Sequence, residues 1–197
     1  MIEVHGENDN HRLMELVTSG YFDQFTKPVT STVDEQAAID QFAISTPARY
    51  NTALVIGRFQ PLHRGHLHLF NHALAVSKEI IIGIGSANLR NRNNPFSPEH
   101  RERMLRRALE AEGIGSRVHR IVRINDYEDD NMWVSEVLNR TGRNIGVVVG
   151  NNDWVNGIFE QTGYKTLEIP LLKRDILSGT KIREDYLYRP GILQEPI

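Results

Sequence analysis

Ala53-Leu54-Val55-Ile56 is an unbroken apolar run that stops at Gly57, and the same device returns down the chain. Glu79 to Ile84 carries Ile80-Ile81-Ile82 and leads into Gly83 and Gly85. Arg117 to Ile124, Ile145 to Val149 (closed by Gly150) and Lys165 to Ile169 complete a set of five. Runs this short and this apolar predict buried strands. Between them lie segments with helical spacing. The first begins near Gly65, with Leu67, Phe70, Ala73 and Leu74 on one face. The second opens at Ser97-Pro98-Glu99, where Ser97 is placed to cap, Pro98 fits the first turn and Glu99 meets the helix dipole; it runs to about Glu112 and stops at Gly113. Asn131 to Leu138, Asp153 to Gln161 and a last helix capped by Ser178 follow.

Strands alternating with helices predict an α/β, Rossmann-like, doubly wound parallel sheet of five strands with helices on both faces. In such sheets ligands bind beyond the C-terminal strand ends, where strand order reverses. Loops 57–64, 85–96, 125–130 and 150–152 all follow strands and are expected on that edge. Residues 1–50 read as an N-terminal extension to a domain spanning 51–197. The extension holds two helical candidates, Arg12 to Val17 and Asp34 to Phe42, the second capped by Thr32 or Asp34. Its residues fit a packing arm, and equally name no obstacle to a regulatory or oligomer-forming segment.

A net charge of −2 excludes a global attraction to nucleic acid or to an anionic membrane, so any phosphate site has to be local. Cysteine is absent, which removes disulfide and thiolate chemistry. No apolar run approaches the roughly 18 residues of a membrane span, and the N-terminus lacks a signal-peptide pattern, so the cytoplasm is the expected setting.

Two helix starts carry the chemistry. The loop after the first strand bears Arg58, Gln60, His63 and Arg64, and the helix opens between His63 and His66. Unpaired helix N–H groups and the dipole favour an anion there. The last helix offers Ser178 and Thr180 hydroxyls at its start and Arg183 a turn later, a second place for phosphate. There is no P-loop, no Gly-x-Gly-x-x-Gly fingerprint and no Nudix helix. His68 and His72, four apart on the first helix, suggest a metal pair, but they lie off the Phe70, Ala73, Leu74 face and are expected to be solvated surface residues. No metal site of the protein's own is expected. Trp133 is open to two readings, a core residue or a platform for an aromatic ring.

His63-Arg64-Gly65-His66 resembles the H-x-G-H motif of the nucleotidylyltransferase superfamily, and Ser178, Thr180 and Arg183 resemble its second signature, Ile-Ser-x-Thr-x-x-Arg, with Leu177 in place of isoleucine. The longer string from Gly57 to His66 is similar to the archaeal-type nicotinamide-mononucleotide adenylyltransferases. Gly83-Ile84-Gly85-Ser86-Ala87, Asn94-Pro95-Phe96-Ser97, Asp126 with Glu128, Trp133-Val134 and Gly150-Asn151 extend the likeness over about residues 53 to 185.

That resemblance implies adenylyl transfer from ATP to nicotinamide mononucleotide (NMN), giving NAD and pyrophosphate, with Mg2+ bound mainly through the ATP phosphates. It implies catalytic roles for His63, His66 and Arg183. It places ATP at Gly57, Arg58, Phe59, His63, His66, Gly150, Asn151, Ser178, Thr180 and Arg183. It places NMN at Arg58, Ser86, Arg92, Asp130, Asn131 and Trp133, with Arg90 competing with Arg92 for the mononucleotide phosphate. It also implies a homo-oligomer. The rival readings are a sister transferase using nicotinate mononucleotide or phosphopantetheine, and a module that binds NAD or ATP without turnover. The chain departs from the family's pattern in carrying Asp130 where asparagine is usual, and Leu-Arg-Asn-Arg at 89–92 where a Ser-His pair is usual. It also begins with about 50 additional residues and ends at Ile197, where the family generally continues, so the extension is expected to fill space that C-terminal helices fill elsewhere.

Overall fold

A computed structural model of the chain describes residues 6–28, 32–46, 49–169, 172 and 177–193. Ile176, which precedes Leu177 of the second motif, and residues 47 and 48 beside the expected boundary of the extension lie outside the described residues.

Five strands form one parallel sheet: β1 (Tyr50–Gly57), β2 (Ser77–Ile84), β3 (Val118–Arg123), β4 (Val147–Gly150) and β5 (Thr166–Glu168), in the order β3-β2-β1-β4-β5. The expected Rossmann-like sheet is present. β1 and β2 start earlier than their apolar runs because Tyr50 and Ser77 already pair across the sheet. Strand order reverses between β1 and β4, so the crevice for a ligand lies beyond Gly57 and Gly150.

Alternation along each strand feeds two cores. Ala53, Val55, Ile80, Ile82, Ile84, Val147 and Val149 face one layer; Leu54, Ile81 and Val148 face the other. The first layer contains α3 (Arg64–Val76) and α4 (Pro98–Ala111). The second contains α5 (Asp130–Thr141) and α6 (Asp153–Gln161). Ser97 caps α4 by accepting from the His100 N–H, and Pro98 fills the first turn. A short helix α7 (Gly179–Arg183) passes into a π-helical turn at Glu184–Tyr188.

The extension lies on the first layer. Helix α1 (Gly6–Ser19), a 3-10 turn at Tyr21–Thr26 and helix α2 (Thr32–Ser45) pack there. Leu13, Val17 and Phe22 are buried in the same core as the sheet. This packing overturns one expectation. His68 and His72 are 6% and 2% exposed, not solvated, because α2 covers the outer face of α3 and Phe42 sets its ring 5.0 Å from that of His72. A helical phase marks a face as non-core only if nothing else is laid on it. Burial pushes His68 down to about 4 and His72 below its usual range, and the His72 Nδ1 lies 2.8 Å from the His68 carbonyl oxygen.

Phe22 meets Phe96 edge-on at 5.0 Å, which ties the extension to the loop that follows β2. Phe22→Ala is expected to cost about 3–5 kcal/mol. Urea unfolding of the two proteins checks it.

Candidate active site

One cavity of about 580 Å3 opens at the reversal point. Its walls include Gly57, Arg58, Phe59, His63, His66, Asn151, Ser178, Thr180 and Arg183. The two helix starts singled out in the sequence therefore face one space, from α3 on one side and α7 on the other.

The first start is tightly built. His63 precedes α3 in extended conformation, and its backbone N–H donates to His66 Nδ1 at 3.2 Å. The two imidazoles lie 3.8 Å apart, tilted by 33°. Phe59 has φ of 51°, in the left-handed region that side chains rarely adopt, and is 1% exposed. That conformation turns its ring under His66, 4.9 Å away and edge-on. Burial pushes His63 down to about 4 and His66 well below its ordinary value, with the neighbouring His63 adding to the shift. Both are neutral at pH 7.

Arg183, 4% exposed, donates through Nη1 to the Gln60 carbonyl at 2.6 Å and through Nη2 to Thr180 Oγ1 at 3.2 Å. Burial, then the charge of Arg58, lowers its pKa. Ser178 caps α7 by accepting from the Lys181 N–H at 3.2 Å. The contact between the two motifs is close: a Cβ on Gly179 would stand 2.8 Å from the Gln60 carbonyl oxygen.

The residues expected to hold the mononucleotide, apart from Arg58, are not in this wall. Ser86, at φ 49°, is 5% exposed, and its N–H donates to Asp126 Oδ1 at 3.2 Å. Asp130 and Asn131 lie exposed in the first turn of α5. Arg92 is engaged with both oxygens of Glu184 at 2.9 Å and lies over the Tyr188 ring at 4.5 Å. Arg90 reaches Asn10 of α1 at 3.4 Å. Trp133 is 3% exposed, and what covers it is a residue the sequence reading passed over: Trp154, 47% exposed, with its ring 4.7 Å from that of Trp133. Trp154 lines the cavity in its place.

Two more residues, Gln60 of the loop after β1 and Arg101, hold the site's backbone in ways their sequence positions did not reveal. Gln60 donates through Nε2 to the Phe96 carbonyl at 3.1 Å and accepts the Phe96 N–H at 3.0 Å, which joins the loops after β1 and β2. Arg101, fully buried, donates to the carbonyls of Arg58, Gly85, Ser86 and Ser97. A signal was available for Arg101: it shares a helical face with Met104, Leu105 and Ala108, which are core.

Among the described residues, no group of three or more His, Asp or Glu side chains converges as metal ligands, and no helix is long and apolar enough to cross a membrane.

Residues 54–185 match the cytidylyltransferase-like family. The nicotinamide-nucleotide adenylyltransferase of Pyrococcus horikoshii is 39% identical over 131 residues, 66% of this chain and 69% of that one. Its counterpart in Thermoplasma acidophilum is 39% identical over 133 residues, 67% of this chain and 73% of its own length. A bifunctional NMN adenylyltransferase/ADP ribose pyrophosphatase from Francisella tularensis, solved with AMP and a manganese ion, matches with a TM-score of 0.61 at 31% identity. That match takes in 74% of this chain and 43% of the bifunctional one, so this chain spans less than half of that protein.

Gly179→Ala separates the site from simple helix propensity. Propensity alone favours alanine by about 1 kcal/mol. The close approach predicts the opposite: α7 is driven off the Gln60 carbonyl, and affinity for a nucleoside triphosphate falls by about tenfold or more. Calorimetric titration with the thermal midpoint measured alongside decides between them.

Proposed function

The chain belongs to the nicotinamide-nucleotide adenylyltransferase family, and from that premise we propose that its cavity joins ATP to NMN, with His63, His66 and Arg183 as the groups that meet the phosphates. What carries the reading is the single cavity walled by both helix starts at the strand-order reversal. The mononucleotide phosphate attacks the α-phosphorus of ATP, a P–O bond forms, and the bond to the β-phosphate oxygen breaks, releasing pyrophosphate. No covalent enzyme intermediate is needed, so the protein's work is positioning and charge stabilisation. The α3 start and its imidazoles face the α- and β-phosphates. Ser178, Thr180, Arg183 and the α7 N–H groups hold the triphosphate tail. Gly150 and Asn151, at the end of β4, take the adenosine. Magnesium arrives as part of the ATP substrate, and hydroxyls of Ser178 and Thr180 suit a cation already coordinated by phosphate oxygens. We place the reaction in the cytoplasm and the active form in a homo-oligomer.

The neutral histidines give this reading a pH signature. Opposite a polyphosphate the imidazolium form is favoured, so ATP raises the pKa of His63 from about 4 and of His66 from its low value. Between the free and bound pKa values the complex holds more protons than the free protein. Binding therefore takes up protons, and affinity falls as pH rises through the bound pKa. Titrations in buffers of different ionisation enthalpy are expected to show uptake that vanishes in the His63→Ala/His66→Ala double variant. That variant is also expected to lose NAD formation from ATP, magnesium and NMN. Turnover that survives both substitutions, or wild-type protein that prefers the deamido acid or makes neither product, overturns the corresponding part of the assignment.

For the acceptor ring we assign the indole pair. Trp133 has no open face while Trp154 lies on it, so the cationic nicotinamide meets Trp154 and is backed by Trp133. A desolvated cation–π contact of about 1–2 kcal/mol predicts that Trp154→Ala raises the KM for NMN by about five- to thirtyfold and leaves the KM for ATP within about twofold. A rise in the ATP KM instead would move Trp154 to the adenine.

A further inference from the structure

We propose that helix α2 of the N-terminal extension is a positioning element for the catalytic motif: Glu35 grips Arg64, the residue between His63 and Gly65, and thereby sets where His63 and His66 stand. The proposal rests on the role given above to those two histidines.

Arg64 is the first residue of α3 and is 5% exposed. Its guanidinium is held from two sides. Nε donates to Glu35 Oε2 at 3.1 Å, Nη2 makes a short bond to the same carboxylate oxygen, and Nη1 donates to Glu112 Oε2 at 2.7 Å. Glu112 in turn accepts from Asn71 Nδ2 at 3.2 Å. A planar fork with carboxylates on two edges has one orientation, unlike an ammonium on a flexible stem. Burial works against the guanidinium charge, and the two carboxylates more than offset it. His63 is joined to Arg64 by a peptide bond, and its N–H is bonded to His66 Nδ1. A shift of Arg64 therefore moves both imidazoles together.

The burial pattern of α2 points the same way. Among the described residues of this helix, none of the apolar side chains is fully buried; the most deeply buried residue is Glu35, at 5% exposure. Val33 and Ile44 are 73% and 75% exposed. A helix that sinks a carboxylate while leaving apolar residues in water is poorly built for stability. Desolvating a charge costs more than burying an aliphatic side chain gains unless the pair is well made, and the return is a fixed geometry. By contrast, α1 and the 3-10 turn bury Leu13, Val17 and Phe22, which accounts for the extension's anchoring without α2. The family match begins at residue 54, so Arg64 belongs to the matched region while Glu35 is supplied by this chain's own extension.

The test compares Glu35→Gln with Phe42→Ala in the full chain, because Phe42 ties the same helix to His72, about two helical turns along α3 from Arg64. Turnover, both KM values, calorimetric ATP affinity and the thermal midpoint are measured well below unfolding. Expected for Glu35→Gln is a kcat lower by on the order of tenfold or more, with the KM for NMN within twofold and ATP bound several-fold more weakly. Phe42→Ala is expected to lower the thermal midpoint and keep kcat. A Glu35→Gln protein with wild-type kcat and a lowered midpoint would make the pair purely structural and overturn the proposal. Should Glu35→Gln fail to fold, Glu35→Asp carries the test, since it keeps the charge and withdraws it by one methylene; its kcat is expected to fall about threefold or more, and an unchanged value overturns the proposal. Should wild-type protein form no NAD, the functional reading fails separately, and the grip on Arg64 is judged on ATP affinity alone, where equal affinities overturn it.

Discussion

Arg101 places a positive charge with no surface exposure among the carbonyl oxygens where β1 and β2 end. Burial lowers its pKa to about 10, which still leaves it charged at pH 7. Isolated in the interior such a charge would be very costly; here the carbonyl dipoles of Arg58, Gly85, Ser86 and Ser97 solvate it. The backbone it holds is itself strained. Phe59 and Ser86 both sit at positive φ, a cost of about 1–3 kcal/mol each, and they lie on either side of the guanidinium's contacts. Phe59 needs that conformation to pass under His66, and Ser86 needs it to aim its N–H at Asp126. Gln60 adds the cross-link to Phe96, and Arg183 reaches back to the carbonyl of Gln60. The loop after β1, the loop after β2, the start of α4 and the start of α7 thus form one hydrogen-bonded body around two cations.

The same arrangement reconciles an acidic protein with a polyanion site. The chain carries a net −2, yet Arg58, Arg183 and the buried Arg101 stand at one edge of the sheet with the α3 and α7 N-termini. Short-range dipoles and partly desolvated charges act over a few ångströms, where the screened surface charge contributes little. A global basic patch would draw nucleic acid; local placement suits the small phosphate ligand of the proposed reaction.

What could be read in the sequence follows the range of the interaction that decides each feature. The five strands were legible because each is an apolar run, and the two helix starts that wall the cavity because their residues are contiguous: His63 to His66, and Ser178 to Arg183. Features decided by distant partners were not. His68 and His72 look solvated on α3 until α2, some thirty residues upstream, is laid over them. Arg92 looks free for a phosphate until Glu184 and Tyr188, from the far end of the chain, close on it. Trp133 reads as core by its helical phase and as a ring platform by the family resemblance, and only its contact with Trp154 shows which indole faces the cavity. Arg101 was missed for a different reason: an arginine in a helix is ordinarily solvent-facing, and here its neighbours on the same face are core.

The histidines complete the electrostatic logic. If His63 and His66 were imidazolium in the free protein, they would stand as like charges at 3.8 Å, beside Arg58 and Arg183. Burial against Phe59 removes that repulsion by keeping both neutral in the free protein. In the proposed reaction the positive charge then develops only where phosphate charge is present to meet it. A neutral pair has to be held by something other than charge, and the available restraints are the His63 N–H bond to His66 and the fixed fork of Arg64 behind them. Rigid placement of an uncharged donor pair is what allows its charge to be set by the substrate rather than by the solvent.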